Sequence, residues 1–242
     1  PNPQKYDKII PIIIEKRKIK NGIQKSPPPE EIRVKANNHK GFTLSEVLIT
    51  LVIIGVVAAI TVPNIIANYR RSDASAKIVK FYSALSQAAF RAKADGNDWR
   101  YWAESASCNS DYSSSDTVYE FAKQYILPYF NYYKYKVEGS KLHVYLNDGT
   151  SFFFFKGGCM DFSYDVNGDR KPNKEGSDIF RFLYCPYCTS SFVASGEIIP
   201  YHPNLIKTRE QALQYCKENG AFCTALLAED GWQFKTDYPQ KI

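Results

Sequence analysis

Between Val47 and Val62 the chain reads Val, Leu, Ile, Thr, Leu, Val, Ile, Ile, Gly, Val, Val, Ala, Ala, Ile, Thr, Val, without one charged side chain. Counted from Phe42 the segment is 21 residues long. As an α-helix that is about 32 Å at ~1.5 Å per residue, against about 30 Å for the hydrocarbon core of a bilayer. β-Branched residues fall on every helical face, whereas a helix of a soluble domain needs a polar side. A secretory signal peptide has a shorter apolar region that ends in a small-residue cleavage site. Here the small residue, Gly41, precedes the run. The acid Glu46 stands alone at the start of the segment. A lone carboxylate beside a bilayer-spanning helix is costly and marks a functional site by default.

Charge orients the segment. Residues 1–40 carry ten Lys/Arg against four Asp/Glu, and from Phe42 onward the two signs balance at 21 each, so the formal +6 lies before the apolar run. Lys16-Arg17-Lys18, Lys35 and Lys40 outweigh Arg70 and Arg71 on the far side, which keeps the N-terminus cytoplasmic. Residues after Val62 then face the periplasm or the exterior. A neutral remainder gives no support for nucleic-acid binding, which needs clustered cations. Pro1 at the start and a single methionine, Met160, indicate a true start elsewhere.

The order Lys40-Gly41-Phe42-Thr43-Leu44-Ser45-Glu46 resembles the processing site of type IV prepilins and type II secretion pseudopilins. The resemblance is strong over residues 40–66 and thin beyond them. It implies a cytoplasmic leader, residues 1–41, removed by a prepilin peptidase that cuts after Gly41 and methylates the new N-terminal Phe42. It implies that Glu46, fifth in the mature chain, neutralises the amine of a neighbouring subunit. Pro63 matches a proline that the family often carries in this helix. The implied partners are the peptidase, other pilin or pseudopilin subunits in a helical filament, and an inner-membrane assembly platform. The implied location is the bacterial inner membrane, crossed once with the head in the periplasm, and then the filament. The leader, with its Ile9-Ile10-Pro11-Ile12-Ile13-Ile14 run, is longer than the family pattern. Apart from the family, Gly41 offers a protease a flexible peptide bond. Glu46 is far less costly paired with an ammonium in a helical bundle than facing lipid.

Pro63 lacks an amide hydrogen and should kink or locally melt the helix. Beyond it Ile78, Phe81/Tyr82, Leu85, Ala88/Ala89 and Ala92 recur at three- and four-residue spacing, an amphipathic continuation over residues 63–95 that stops at Gly96. The remainder, 96–242, reads as an α+β head with an antiparallel sheet, on which the second half of the helix packs. Ser105–Thr117 reads as a loop and Val118–Tyr129 as a helix that ends at Pro128. Strands are expected at Tyr133–Val137, Lys141–Leu146, Ser151–Phe155 and Ile179–Leu183. Glu138-Gly139-Ser140 and Asn147-Asp148-Gly149 supply hairpin turns. Lys207–Glu218 reads as a helix closed by Asn219-Gly220, and Trp232–Phe234 as an edge strand.

Within the head, Asp165, Asn167 and Asp169 alternate as at the opening of a calcium loop, with Asp178 or Glu175 as a further ligand. Arg170 stands where such a loop wants glycine, and Gly176 where it wants a bidentate acid. The competing reading is a polar loop whose Asx side chains bond their own backbone. The six cysteines, Cys108, Cys159, Cys185, Cys188, Cys216 and Cys223, suit disulfides outside the cytoplasm. Cys216 with Cys223 is the best local pair. Cys185 is expected in a structural bridge to Cys188, Cys159 or Cys108, since the βαβ context of a redox CxxC is missing. A single CxxC does not make a zinc site. His39, His143 and His202 have no nucleophile–acid pattern around them, and no GxSxG, Walker or HExxH motif occurs.

The sequence thus points to a non-enzymatic, exported structural subunit. One alternative is a minor pilin acting as a tip adhesin or DNA-uptake module, with Trp99, Tyr101 and Trp102 available for stacking; neutral charge disfavours DNA. Another is an anchored thiol oxidoreductase at Cys185/Cys188, which would need a reactive thiolate.

Overall fold

The structure is a computed structural model and describes residues 41–99, 115–156, 159–185, 195–201 and 206–242. The chain divides into two compact units, Pro1–Leu48 and Ile49–Ile242. Helix α1 spans Leu44–Ala94 and continues through Pro63 without melting. Around the proline, side chains supply bonds to the backbone: the Thr61 hydroxyl donates to the Val57 carbonyl at 2.9 Å and the Asn64 amide to Ile60 at 3.4 Å. The helix stops as Gly96 predicts. Asn97 N–H donates to Ala92 O and Gly96 N–H to Lys93 O, with Gly96 at φ 79°. This paired cap suits glycine because a Cβ is disfavoured there.

The head is built on a six-stranded antiparallel meander in chain order. Its strands are β1 Tyr132–Glu138, β2 Lys141–Leu146, β3 Ser151–Lys156, β4 Met160–Asp165, β5 Ile179–Cys185 and β6 Ser195–Pro200. One face is continuous and apolar: Val144 pairs with Phe152, Leu142 with Phe154, Phe154 with Phe162, and Phe162 with Phe182. Period-two alternation turns the intervening residues to the other face. The stripe Ala74, Ile78, Phe81, Leu85, Ala88 and Ala92 of α1 is buried in the same core. Phe81 lies in it 4.1 Å from the ring of Tyr164 and 5.4 Å from that of Phe152. Helix α2, Ser115–Tyr125, adds Val118, Ala122 and, through the following turn, Ile126. β1 is an edge strand exposed along most of its length. Its Lys134 and Lys136 are the charges that keep such an edge from pairing with another chain.

The C-terminal part closes the core with α3, Arg209–Glu218, and α4, Cys223–Glu229. Thr208 and Gln211 form a reciprocal capping box at the start of α3. Trp232–Phe234, expected as an edge strand, is not one. Gly231 N–H donates to Ala228 O and Trp232 N–H to Leu227 O, so Gly231-Trp232 is the C-terminal cap of α4. The indole then packs at a tilt against Tyr82 and stacks on Phe182. Ser75 of α1 donates its hydroxyl to the Trp232 carbonyl. The helix expected over Val118–Tyr129 is α2 plus a separate 3₁₀ turn at Leu127–Tyr129, because Pro128 cannot extend an α-helix. The end of the expected Ser105–Thr117 loop already belongs to α2; residues 105–114 lie outside the described residues.

Candidate functional site

The start of α1 is formed by its own side chains. Glu46 Oε2 accepts from the Thr43 backbone N–H and from the Thr43 hydroxyl, both at 2.8 Å, and Glu46 N–H donates back to Thr43 Oγ1 at 3.2 Å. Thr43 is thus the N-cap and Glu46 the N3 residue of a capping box, which satisfies amides that a helix start leaves without partners. The carboxylate also lies at the positive end of the helix dipole. The partnership of Thr43 with Glu46 was not anticipated, although Thr-x-x-Glu before an apolar run is its sequence signature. Gly41 and Phe42 precede the helix as exposed residues outside any helix or strand. Phe42 is 87% exposed.

From Val47 onward the helix turns large apolar side chains outward at every azimuth, and none of its most apolar 18-residue stretch is buried against the rest of the protein. Water does not tolerate such a surface; lipid or other apolar helices must cover it. The chemistry here is therefore that of an exposed peptide bond, a carboxylate and an unpartnered apolar helix.

The other expected site residues fall elsewhere. Asp165, Asn167, Asp169 and Asp178 lie in and beside the β4–β5 loop; the three aspartates have local partners, whereas the Asn167 side-chain oxygen is buried without one among the described residues. Asp165 Oδ1 accepts from the Asn167 amide at 2.9 Å, and Asp169 accepts from the Tyr145 hydroxyl at 3.0 Å. Asp178 accepts from Asn173 N–H, Lys174 N–H and the Asn167 side chain at 2.8, 2.6 and 3.1 Å. Among the described residues no three His, Cys, Asp or Glu side chains converge as a metal site. Asp165 and Asp178 bond backbone amides of the loop, as Asx side chains in turns do.

Cys159 and Cys185 are bridged, joining the start of β4 to the end of β5, and Cys216 and Cys223 are bridged around the end of α3. Cys185 is fully buried and committed to Cys159, not to its CxxC neighbour. Cys108, Cys188, His39, His202, Tyr101 and Trp102 lie outside the described residues. Trp99 is 1% exposed, packed on Phe162 and Tyr184, and so offers no stacking surface. His143 is buried in β2 with Nε2 at 2.9 Å from Ser151 Oγ, and burial holds it below its ordinary pKa.

The prokaryotic N-terminal methylation motif, the signature of pilins and pseudopilins, matches residues 36–62 and supports a pilin-like or pseudopilin subunit. The motif implies processing by a prepilin peptidase and assembly with other pilins, and with the apolar helix it is consistent with an inner-membrane anchor. The chain belongs to the family described as a family of unknown function (DUF6613), whose model matches residues 64–242. No curated protein and no solved structure matches the chain.

Proposed function

We propose that the chain is a structural prepilin or pseudopilin. A prepilin peptidase cuts it between Gly41 and Phe42, Phe42 is N-methylated, and the subunit is assembled from the inner membrane into a pilus or secretion pseudopilus. Residues 1–41 are the leader, 42–62 the membrane and filament-core helix, 63–95 its amphipathic continuation and 96–242 the displayed head. The observation that carries the reading is the methylation motif set on a helix whose apolar side chains are exposed on all sides. Once cut, Phe42 bears an ammonium, and Glu46 exchanges its local Thr43 partners for the ammonium of an adjacent subunit. Apolar packing replaces lipid, and the charge pair sets the register.

N-terminal sequencing and intact mass of the membrane-extracted chain, expressed with and without a prepilin peptidase, test the first step. The expected result is a peptidase-dependent start at methylated Phe42. An uncut chain in the presence of the enzyme would refute the proposal. Glu46→Gln tests the second step, because glutamine keeps the capping-box acceptor and removes the charge. The variant is expected to be cut and membrane-inserted normally. Its yield of sheared filament should fall by about a hundredfold, the equivalent of roughly 3 kcal/mol for breaking a desolvated ion pair. Normal filament yield would show that Glu46 serves only as a cap.

A further inference from the structure

A cavity of about 360 Å³ opens where the head meets α1, and three separate chain segments place cations in its wall. Arg70 and Lys77 come from the helix, Arg170 and Lys171 from the β4–β5 loop, and Lys241 from the C-terminal segment. These are five of the 21 cations beyond Phe42 in a stretch of chain that is otherwise balanced. Two acidic side chains also line the cavity and both are engaged; the Asn167 side chain, whose oxygen is buried without a partner among the described residues, and the last residue, Ile242, complete that part of the wall. Asp73 pairs with Lys77 at 2.8 Å, and Asp178 accepts two backbone amides and the Asn167 side chain. Arg170 gives only its Nε–H to the Asn167 carbonyl, at 3.1 Å. Arg70, Lys171 and Lys241 pair with no carboxylate among the described residues. Such a pocket suits an anion and opposes a divalent cation.

Its position along α1 says which anion. No charged residue occurs from Val47 to Tyr69. With Glu46 and not Phe42 at the inner boundary, the charge-free crossing runs seven residues past Val62, and its 23 residues rise about 35 Å at ~1.5 Å each, a little more than the ~30 Å of hydrocarbon. Tyr69, 71% exposed, and Arg70 therefore fall in the outer headgroup layer, where Tyr and Arg are the usual interfacial anchors. Lys77, seven residues further along the helix, lies about 10 Å beyond Arg70 at ~1.5 Å per residue, about a Debye length.

We infer that this cavity binds the phosphate of an anionic phospholipid in the outer leaflet, holding the base of the head against the membrane before extraction. The inference rests on the membrane-anchored reading above. A charged headgroup gains from each neighbouring Lys or Arg, about fivefold in binding, and three chain segments supply them here. On entry into a filament the lipid stays behind, and the cavity is free for a different contact.

The test uses the full chain purified in neutral detergent and titrated in native mass spectrometry with phosphatidylglycerol, phosphatidylcholine or inorganic phosphate. Phosphatidylglycerol is expected to bind about tenfold or more tightly than phosphatidylcholine. The preference should fall several-fold in the triple variant Arg170→Gln, Lys171→Gln, Lys241→Gln, which keeps Arg70 and Lys77 and whose exposed substitutions leave the melting curve unchanged. Equal binding of the two lipids, or an undiminished preference in the folded variant, would overturn the inference. Displacement of the lipid by inorganic phosphate would make the cavity a soluble-anion site and also overturn it, as would dimers that vanish in the variant. Fractionation of the parent chain separates the two readings: recovery in the membrane pellet upholds the anchor whatever the lipid result.

Discussion

Replacing Phe81 with alanine is expected to cost about 3–5 kcal/mol of head stability, the range for truncating a fully buried aromatic. Phe81 is 2% exposed and is the point where α1 enters the sheet. Its ring stacks on Tyr164 with an interplanar angle of 7° and lies 5.4 to 6.4 Å from Phe152, Phe182 and Phe130. Residues from β3, β4, β5 and the turn before β1 thus share one partner on the helix. Removing it leaves a void bounded by rigid rings that cannot close over it, and each lost aromatic pair adds about 0.5–1.5 kcal/mol. The second half of α1 owes its helicity to this packing, since tertiary burial and not propensity sustains most helices. Thermal melts of the detergent-extracted chain, followed by circular dichroism, should show a fall of about 6–20 °C. Phe90→Ala is the control: that ring is 74% exposed, and its loss should change stability by less than about 0.5 kcal/mol. If both variants melt alike, the docking of α1 on the sheet is wrong.

What could be read in advance follows from how local each determinant is. The long helix, its Gly96 stop, the stripe through Ile78, Phe81 and Leu85, and the β1–β2–β3 hairpins all rest on periodicity or turn chemistry within a dozen neighbouring residues. β4 carries an equally local alternation, Met160, Phe162 and Tyr164 inward against Asp161 and Ser163, but was not anticipated. Its strand runs into the Asp/Asn/Gly series that reads as a ligand loop. β6 was also missed, for a physical reason: Gly196 and Pro200 are poor strand formers. Pairing with β5, Ile199 opposite Leu183 and Ile198 opposite Tyr184, holds it as an edge. Trp232 misled because an aromatic beside Gly231 suits a strand as well as it suits a helix cap. Glu46 was legible as a site; its hold on Thr43 was equally legible and overlooked. The cationic cavity was not legible, because residues 70, 77, 170, 171 and 241 meet only after the sheet has folded.

Raising the pH from 5 to 8 is expected to destabilise the head, and Asp165→Asn to remove most of that loss. Asp165 is 3% exposed at the end of β4. Burial pushes its carboxyl up to about 7; the Asn167 amide opposes the rise and the nearby Asp178 and Asp169 carboxylates add to it. In the unfolded chain the same group ionises near 3.8. Between the two values the unfolded chain binds fewer protons than the fold, so stability drops as the pH climbs through that interval and levels off above about 7. About three decades at ~1.4 kcal/mol each set an upper limit near 4 kcal/mol. Asp161, raised to about 6 by burial against the partial relief of Arg181 and Lys141, acts in the same direction over a shorter interval. The carboxylates held low by ion pairs, Asp230 and Asp237 with Arg209, act only in acid below this window. Asparagine at 165 still accepts the Asn167 N–H through its side-chain oxygen while carrying no charge. The melting temperature of the variant relative to the parent should therefore rise by about 5–12 °C between pH 5 and pH 8. A residual slope that disappears on adding Asp161→Asn would assign the rest. A parent melting temperature flat from pH 5 to 8, or an Asp165→Asn chain weakened equally at both, would mean that Asp165 is ionised in the fold and held there by a cation.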